Sequence, residues 1–510
     1  MHQRLGNVWL LEHFGLDVRA LTKECWLGSR PKVVRGQDAE REYFTKAYLP
    51  EETPLAHVEF ALKYDHLHLE LLCAVFERLP VEAVSAWVGR QPTGKWARRV
   101  GYLYELLTGR DLAPKGLGVG GNYAVLLDTG KYVCAARPVK VPRWRIEDNL
   151  LGDRDFCPVV RLTAAVEGSL RIDVAARLQT LQSRYPPEIF RRATGYLYEK
   201  ETRKSFEIER ESPPPDREAR FVAALHDAGR ARPEDALGMA RLVGLQNLIV
   251  EPRYAEPAYR EDQNYIGETL PNYQQRIHFI PPPPEFVASL MRGLGCFLGK
   301  SASSPAVCRA AVAAFGFVFI HPFDDGNGRL HRFLIHDVMA MDGLVPEGMV
   351  LPVSAWMLKH MALYDRCLES FSLPLLDKIQ RSGGYVLNER DQLTVTNPVA
   401  LEAYYRYPDM TVQVEYLARA IVGTLDEELV PELDYLQTFD RARQSMRAIV
   451  DMPDRKLDRL IQLFHQNRGG LSKNKRGLYP EIGDDEIERL AMAYQEAAES
   501  VTRSPEGQDG

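Results

Sequence analysis

Fifteen consecutive residues, Ala306 to Ile320, carry a single charge, Arg309, and are otherwise apolar or glycine. A helix that is apolar all round has no face to offer water and has to be enclosed. Fifteen residues fall short of the roughly 20 that a helix needs to cross a bilayer. The segment therefore reads as a buried core helix around which other parts of the chain fold. It runs straight into HPFDDGNGRLHR and then into a second amphipathic stretch, RLHRFLIHDVMAM, so the pattern is helix, polar loop, helix. With 510 residues, of which 45% are hydrophobic, the chain can build such a core and has the length of about three domains.

The rest of the chain reads as mostly α. Residues 1–145 form an N-terminal, mostly helical domain, in which AHVEFALKYDHLHLELLCAVFERL and the residues after it to 109 show helical spacing. Gly116 to Tyr132 reads as a glycine loop, a strand, an Asp-Thr-Gly turn and a second short strand. Its GLGVGG run lacks the Lys-Ser/Thr ending of a phosphate loop and opens no βαβ unit, so a flexible turn is the expectation. Residues 146–380 are helical and punctuated by Pro213–Pro215 and Pro281–Pro284, the latter after a short strand, Arg276 to Ile280. These prolines are expected to end elements rather than to serve as ligands of aromatic grooves. Residues 381–510 form a charged C-terminal helical extension with a solvated basic loop, GGLSKNKR at 469–476, and a disordered tail, SPEGQDG. No internal repeat is visible.

Charge and cysteine content narrow the function classes. The formal net charge is −6, which gives no chain-wide reason to bind nucleic acid or an anionic membrane. The seven cysteines are scattered, odd in number and without a C-x-x-C pair, as expected of buried free thiols in a reducing compartment. The opening MHQRLGNVWLLEHFGLD places Glu12, His13 and Asp17 soon after a short apolar run and makes a poor signal peptide. A cytoplasmic protein is the expectation.

Chemistry concentrates in His321 to Arg332. A Gly-Asn-Gly turn at a helix start leaves backbone amides unpaired at the positive end of the helix dipole, a ready cradle for an anion. Arg329 and Arg332, three apart, lean to one face, and two guanidinium forks beside such a cradle suit a polyphosphate. Asp325 at its edge is a natural anchor for Mg²⁺, which favours one or two carboxylates plus phosphate oxygens. His321 can accept a proton from an attacking hydroxyl near neutral pH, and Phe323 is expected to pin the loop to the core. Taken singly, each residue has a structural explanation, such as a turn pair or a solvated helix face. Their joint order on one loop and helix points instead to phosphoryl or nucleotidyl transfer. A metal-only reading of His321, Asp324, Asp325 and His331 is weaker, because no standard ligand spacing appears.

This stretch matches the Fic signature H-P-F-x-[D/E]-G-N-G-R-x-x-R at every fixed position. The wider resemblance runs from about 200 to 375 and includes Tyr265-Ile266-Gly267, the strand before the second proline run and the apolar helix. It implies a Fic helical core with a short β-hairpin flap, flanked by helical domains. It further implies His321 as general base, Asp325 as the Mg²⁺ (or Mn²⁺) ligand, Gly326, Asn327 and Gly328 as the anion hole, and Arg329 and Arg332 as ligands of the outer phosphates of ATP. The flap, about Tyr265 to Ile280, would align the target chain by strand addition. Fic relatives of the Doc toxin type carry a larger residue at the position of Gly328 and phosphorylate; a glycine resembles the nucleotidyl-transfer branch.

Many Fic proteins also carry an inhibitory helix, [S/T]-x-x-x-E-[G/N], whose glutamate pairs with the second motif arginine. Two segments compete for that role. Ser205-Phe-Glu-Ile-Glu209-Arg-Glu resembles the family's S-x-x-I-E-G-E but has Arg210 where Gly or Asn is expected; Thr163-Ala-Ala-Val-Glu167-Gly168 fits the letters in a less similar context. Ser205 and Glu209 are preferred. After the motif, relatives show S-x-x-I-x-x-N-R-x-x-Y-Y, with aromatics that line the base pocket. Here Tyr364 retains one aromatic, while His360 and Asp365 replace the expected Asn and second Tyr.

The resemblance implies an autoinhibited protein adenylyltransferase, able to modify itself, that moves AMP from Mg-ATP to a Ser, Thr or Tyr hydroxyl of a protein target; a homodimer is left open. The alternatives are removal of AMP, transfer of another nucleotide or phosphate group, and a non-catalytic interaction protein with a vestigial Fic site.

Overall fold

In a computed structural model of the chain, residues 3–36, 39–114, 116–271 and 274–502 are described. The tail expected to be disordered, 504–510, lies outside them. The fold is mostly α with a few small sheets, and the chain divides into two compact units that interleave along the sequence. One comprises the chain up to Ile172 with Glu209–Leu344 and His360–Arg419; the other comprises Asp173–Ile208, Val345–Lys359 and the chain from Ala420 onward.

The first unit is organised by the apolar segment. Ala306–Ile320 is a helix, and every residue from Val307 to Ile320 is buried. At roughly 1.5–3 kcal/mol for each fully buried large apolar side chain, its Phe, Val and Ile residues anchor this part of the fold. Arg309, 2% exposed, lies 3.1 Å from Asp342 and donates to the carbonyls of Leu298 (3.1 Å) and Ser301 (3.4 Å), which offsets the desolvation of its charge. The helix Asn327–Met341 packs against it and is buried along most of its length. Pro284–Lys300 and Pro215–His226 both begin on a proline, which suits the first turn because its missing N–H would have no intrahelical acceptor. The proline runs, expected to end elements, thus start helices instead.

Helices Pro54–Tyr64, Leu69–Glu77, Val81–Arg90 and Lys95–Thr108 bear out the helical spacing read between 55 and 109. Their shared core includes Leu71, Phe76, Val88, Leu103 and Tyr104. The periodicity did not reveal a four-stranded sheet ahead of them, Arg4–Leu5, Lys23–Leu27, Lys32–Arg35 and Glu40–Phe44, in the order first, second, fourth, third. Its third strand is exposed throughout, so it shows no buried alternation. The expected second strand shrinks to a single antiparallel bridge, Tyr132 with Arg161, directly after the Asp-Thr-Gly turn, where the amides of Lys131 and Tyr132 both donate to the Asp128 carbonyl. Ala124–Val125 pairs in parallel with Ile146–Asp148 instead. A further hairpin, Tyr385–Leu387 with Leu393–Val395, lies within the segment expected to be helical.

The second unit is helical, with Met446, Leu457, Ile461, Phe464 and Leu490 in its core. Glu201 accepts from the backbone N–H of Ser354 (2.9 Å) and from its hydroxyl. The basic loop at 469–476 is in part a helical turn, Lys473–Arg476, and Arg476 pairs with Asp484 at 2.8 Å. All seven cysteines are free, but Cys296 is exposed and Cys73 and Cys134 are only half-buried, which corrects the expectation that all lie inside. Among the described residues no helix is long and apolar enough to cross a membrane.

Candidate active site

The site grows out of a turn at the end of the core helix. His321 caps that helix in the left-handed region (φ 53°), its amide donating to the Phe317 carbonyl at 2.8 Å. A non-glycine residue there costs on the order of 1 kcal/mol, so the neighbours must hold it. Arg260 does so: its Nε donates to the His321 carbonyl at 2.8 Å, its amide to the Pro322 carbonyl at 2.9 Å, and its Nη atoms to the carbonyls of Asp262 (2.8 Å) and Pro282. Buried among carbonyls, this guanidinium is pushed down to about 10. Nothing in the sequence around Arg260 announces this clamp.

The imidazole of His321 is held at 3.2 Å from the Val318 carbonyl through Nδ1. A carbonyl can only accept, so Nδ1 carries the proton and Nε2 is left as the base. Burial lowers the ring to about 4, with Arg260 pushing the same way and Glu209 and Asp325 opposing, so the ring is neutral at physiological pH.

The loop closes on itself. Asn327 Oδ1 accepts from the Phe323 amide (3.1 Å) while its Nδ2 donates to the Phe323 carbonyl (2.7 Å), and the buried Phe323 ring pins the turn inside as expected. The side chain of Asn327 is thus engaged within the loop, and its backbone amide is what it can turn toward an anion. Gly326 has φ 90°, and a Cβ there would lie 2.9 Å from Val250, so glycine is required for both backbone and space. The motif helix has no side-chain N-cap, which leaves its first amides without intrahelical partners. Gln246 Nε2 donates to the Asp325 carbonyl at 3.3 Å, and Glu256 accepts from the Asp324 amide at 3.0 Å. Neither supporting residue was singled out from sequence.

The motif arginines are buried, Arg329 at 2% and Arg332 at 0% exposed, and each meets a carboxylate from the turn after Ile208. Arg332 Nη2 donates to Glu209 Oε1 at 2.7 Å; Arg329 Nη1 donates to Glu211 Oε2 at 3.1 Å and its Nη2 to Asp325 Oδ1 at 2.6 Å. Between the two glutamates, Arg210 has φ 57°, which is the conformation that the glycine or asparagine of the related pattern adopts readily. A Cβ on Gly328 would lie 2.1 Å from Glu209 Oε1, so the glutamate occupies the space that this glycine leaves open. Glu167, the competing candidate, pairs with Arg171 in its own helix at 3.7 Å and bonds no motif residue among those described.

Asp325 is about half exposed. No group of three His, Cys, Asp or Glu side chains suited to a metal occurs among the described residues. A divalent ion here would rest on Asp325, with phosphate oxygens and water completing its shell, which is the habit of Mg²⁺. Tyr364 is buried, its ring stacked on His331 (6.2 Å) and tilted against Tyr416 (5.9 Å), and burial pushes its phenol up to about 12 against the pull of Arg332. Ser205 is buried in the helix Pro187–Ile208 of the second unit, and Asp365 is exposed.

The expected flap is an antiparallel hairpin, Ile266–Thr269 with Gln275–Phe279; its tip, 272–273, lies outside the described residues. Its base is fixed by Tyr405 Oη donating to the Ile280 carbonyl at 2.8 Å, and Phe279 meets the His321 ring edge-on at 6.4 Å. Every residue of Ile266–Thr269 is exposed.

Residues 237–339 match the model of the Fic/DOC family. The chain is 35% identical over 96 residues to protein adenylyltransferase fic-1 of Caenorhabditis elegans, covering 18% of this chain and 16% of that one. It is 36% identical over 67 residues to a probable protein adenylyltransferase of Aquifex aeolicus (13% and 21%) and 36% identical over 90 residues to protein adenylyltransferase Fic of Drosophila melanogaster (17% and 16%). The chain thus spans only about a sixth to a fifth of the length of these relatives. Among solved structures, a Fic family protein from Desulfovibrio desulfuricans aligns with a TM-score of 0.39 at 18% identity, over 64% of this chain and 89% of that one. With its helix–loop–helix motif and flap in place, the segment 237–339 is the part of the chain that carries a Fic domain.

Proposed function

We propose that this protein transfers AMP from ATP to a hydroxyl of a protein target and that Glu209 holds the transfer in check. The observation that carries the reading is the carboxylate oxygen lying over Gly328, 2.7 Å from Arg332. The start of the motif helix already seats an anionic oxygen against a buried guanidinium, and an outer phosphate of ATP would take the same place once the glutamate leaves.

The neutral His321, with Nδ1–H on the Val318 carbonyl, takes the proton of the target hydroxyl at Nε2. The hydroxyl oxygen bonds to the α-phosphorus, the bond from that phosphorus to the bridging oxygen breaks, and pyrophosphate departs. Arg329 and Arg332 neutralise the outer phosphates, and the backbone amides of Asn327 and Gly328 face the inner ones, while that of Gly326 donates to Asp325 Oδ1 at 2.6 Å. Asp325 would hold Mg²⁺ or Mn²⁺, which would draw charge from the phosphate oxygens. The open edge of the flap, with its exposed backbone at Ile266–Thr269, suits addition of a strand from the target.

ATP labelled at the α or the γ phosphate, incubated with wild type, His321→Ala and Glu209→Gly, tests the reading. AMP transfer predicts protein-bound label from the α position only, more of it with Glu209→Gly and none with His321→Ala. Label from γ alone would mean kinase chemistry. Release of AMP from a pre-modified target without incorporation would mean removal, and no turnover in any variant would mean a vestigial site.

A further inference from the structure

The N-terminal part of the first unit bears a surface that the transfer reaction does not use. Residues 90–145 contain eleven Lys and Arg against three Asp and Glu, within a chain whose net charge is −6. The fold gathers several of these cations around two half-exposed aromatic rings. Trp96 has Lys63, Lys95 and Arg99 over its ring, at 5.5, 5.2 and 4.4 Å from the centroid. Tyr123 has Lys140 and Arg145 over its own, at 5.3 and 5.4 Å.

Backbone contacts bring the two groups close together. Arg98 donates to the carbonyls of both Asn122 (2.7 Å) and Arg145 (2.9 Å), Arg99 donates through Nε to the Val125 carbonyl at 2.9 Å, and Lys131 reaches the Lys63 carbonyl at 3.5 Å. Trp96 lines two grooves, of about 520 and 460 Å³. The first also presents the rings of Tyr48, Tyr64 and Trp87, with Glu51 and Glu59 at its edge; the second is edged by Lys131 and Arg99, with Asp128 beside them.

Ordinary solvated charges are interleaved with carboxylates. Lys63 pairs with Glu59 at 2.6 Å, but among the described residues no carboxylate lies within 4 Å of the charged ends of Lys95, Arg99, Lys131, Lys140 or Arg145. The three acidic residues of the segment are otherwise engaged: Glu105 and Asp111 with Arg143, and Asp128 with the Gly130 amide. Crowding like charges without counter-charges is unfavourable unless an anion joins them.

We propose that this face binds single-stranded nucleic acid, with phosphates on the lysines and arginines and bases stacked on Trp96 and Tyr123. The aromatic rings decide between anionic partners: an acidic peptide needs only the cations, whereas flat rings set among cations are the usual platform for unpaired bases. The chain-wide charge conceals this surface because the acidic residues lie elsewhere in the sequence. The proposal does not rest on the transferase reading, since His321 and the motif loop take no part in it.

The test is fluorescence anisotropy of the full chain with a labelled oligothymidylate and an oligouridylate of 20 nucleotides, in rising salt. The expected result is saturable binding whose log affinity falls with log salt at about −0.7 per phosphate contact. Lys95→Glu with Arg99→Glu should weaken binding at least about tenfold and flatten that slope. Trp96→Ala should weaken it several-fold at unchanged slope, as removal of a stacking platform does. Lys473→Glu, in the basic turn of the second unit, should leave it unchanged. An unchanged circular-dichroism spectrum and melting temperature of each variant report that the fold is intact. Absence of binding at low salt overturns the proposal. Equal loss with Lys473→Glu does so too, and so does displacement of the oligonucleotide by polyglutamate of matched charge, which would assign the face to an acidic protein.

Discussion

Two stretches of this chain carry nearly the same letters in different surroundings. Thr163 to Gly168 fits the inhibitory pattern fully, yet Thr163 serves as an N-cap, its Oγ1 accepting from the Val166 amide at 3.1 Å, and Glu167 pairs with Arg171 on a half-exposed helix face. Ser205 to Glu211 departs from the pattern at Arg210, yet Glu209 and Glu211 lie on the two buried motif arginines. A short pattern states which residues could meet a guanidinium, and the fold selects the ones that do. A solvated i,i+4 pair such as Glu167–Arg171 contributes a few tenths of a kcal/mol. A carboxylate against a fully buried arginine controls whether that arginine can receive anything else.

The contrast can be broken most directly through activity. In a Glu209→Gly background, His321→Ala should lower α-label transfer by about 10²–10⁴-fold, the usual range for loss of a general base; persistence of transfer would remove His321 from the chemistry. Glu209→Gly alone should raise transfer about tenfold or more, because the competent form no longer has to be freed from the pair, while Glu167→Gly should leave it within about twofold. The reverse result would mean that the fully matching segment is the brake.

Stability sharpens the same comparison. Without nucleotide, Glu209→Gly should cost about 2–3 kcal/mol, less than for a wholly buried pair because Glu209 is a third exposed. Mg-ATP should restore much of that loss in thermal melts, and Glu167→Gly should shift them by less than about 0.5 kcal/mol. Arg210→Gly should stabilise by at most about 1 kcal/mol, since it removes left-handed strain from the turn that carries both glutamates.

The pH response is the subtlest. Burial lowers His321 to about 4 and His331 to about 3. Their unfolded-state values lie near 6.5, so the unfolded chain takes up protons that the fold resists as pH falls from about 6.5 toward 3. Stability held above that window should decline through it. Over pH 5–8 the transfer rate of Glu209→Gly should stay within about twofold, because the base is already neutral. A limb near 6.5 would show a solvated imidazole instead.

Much of the site was legible because it is contiguous. The fully apolar helix, the turn after it and the helix beyond that turn are set by local periodicity and by a twelve-residue motif, and His321, Asp325, Arg329 and Arg332 fall where the motif puts them. The flap hairpin showed itself as a strand before a proline run. The clamp of Arg260 on the His321 and Pro322 carbonyls did not, because backbone carbonyls leave no trace in side-chain identity. The N-terminal sheet was hidden for a related reason: its short, partly exposed strands lack alternation.

The sequence by itself determined that a buried helix leads into a glycine turn and helix start edged by a histidine, a carboxylate and two arginines, since propensity, periodicity and turn chemistry act between near neighbours. Which glutamate meets Arg332 across 123 positions, what holds His321 in its left-handed turn, and whether scattered lysines share one face with Trp96 were decided by the tertiary structure. Those outcomes depend on contacts between residues far apart in the chain, and such contacts exist only once the core has formed.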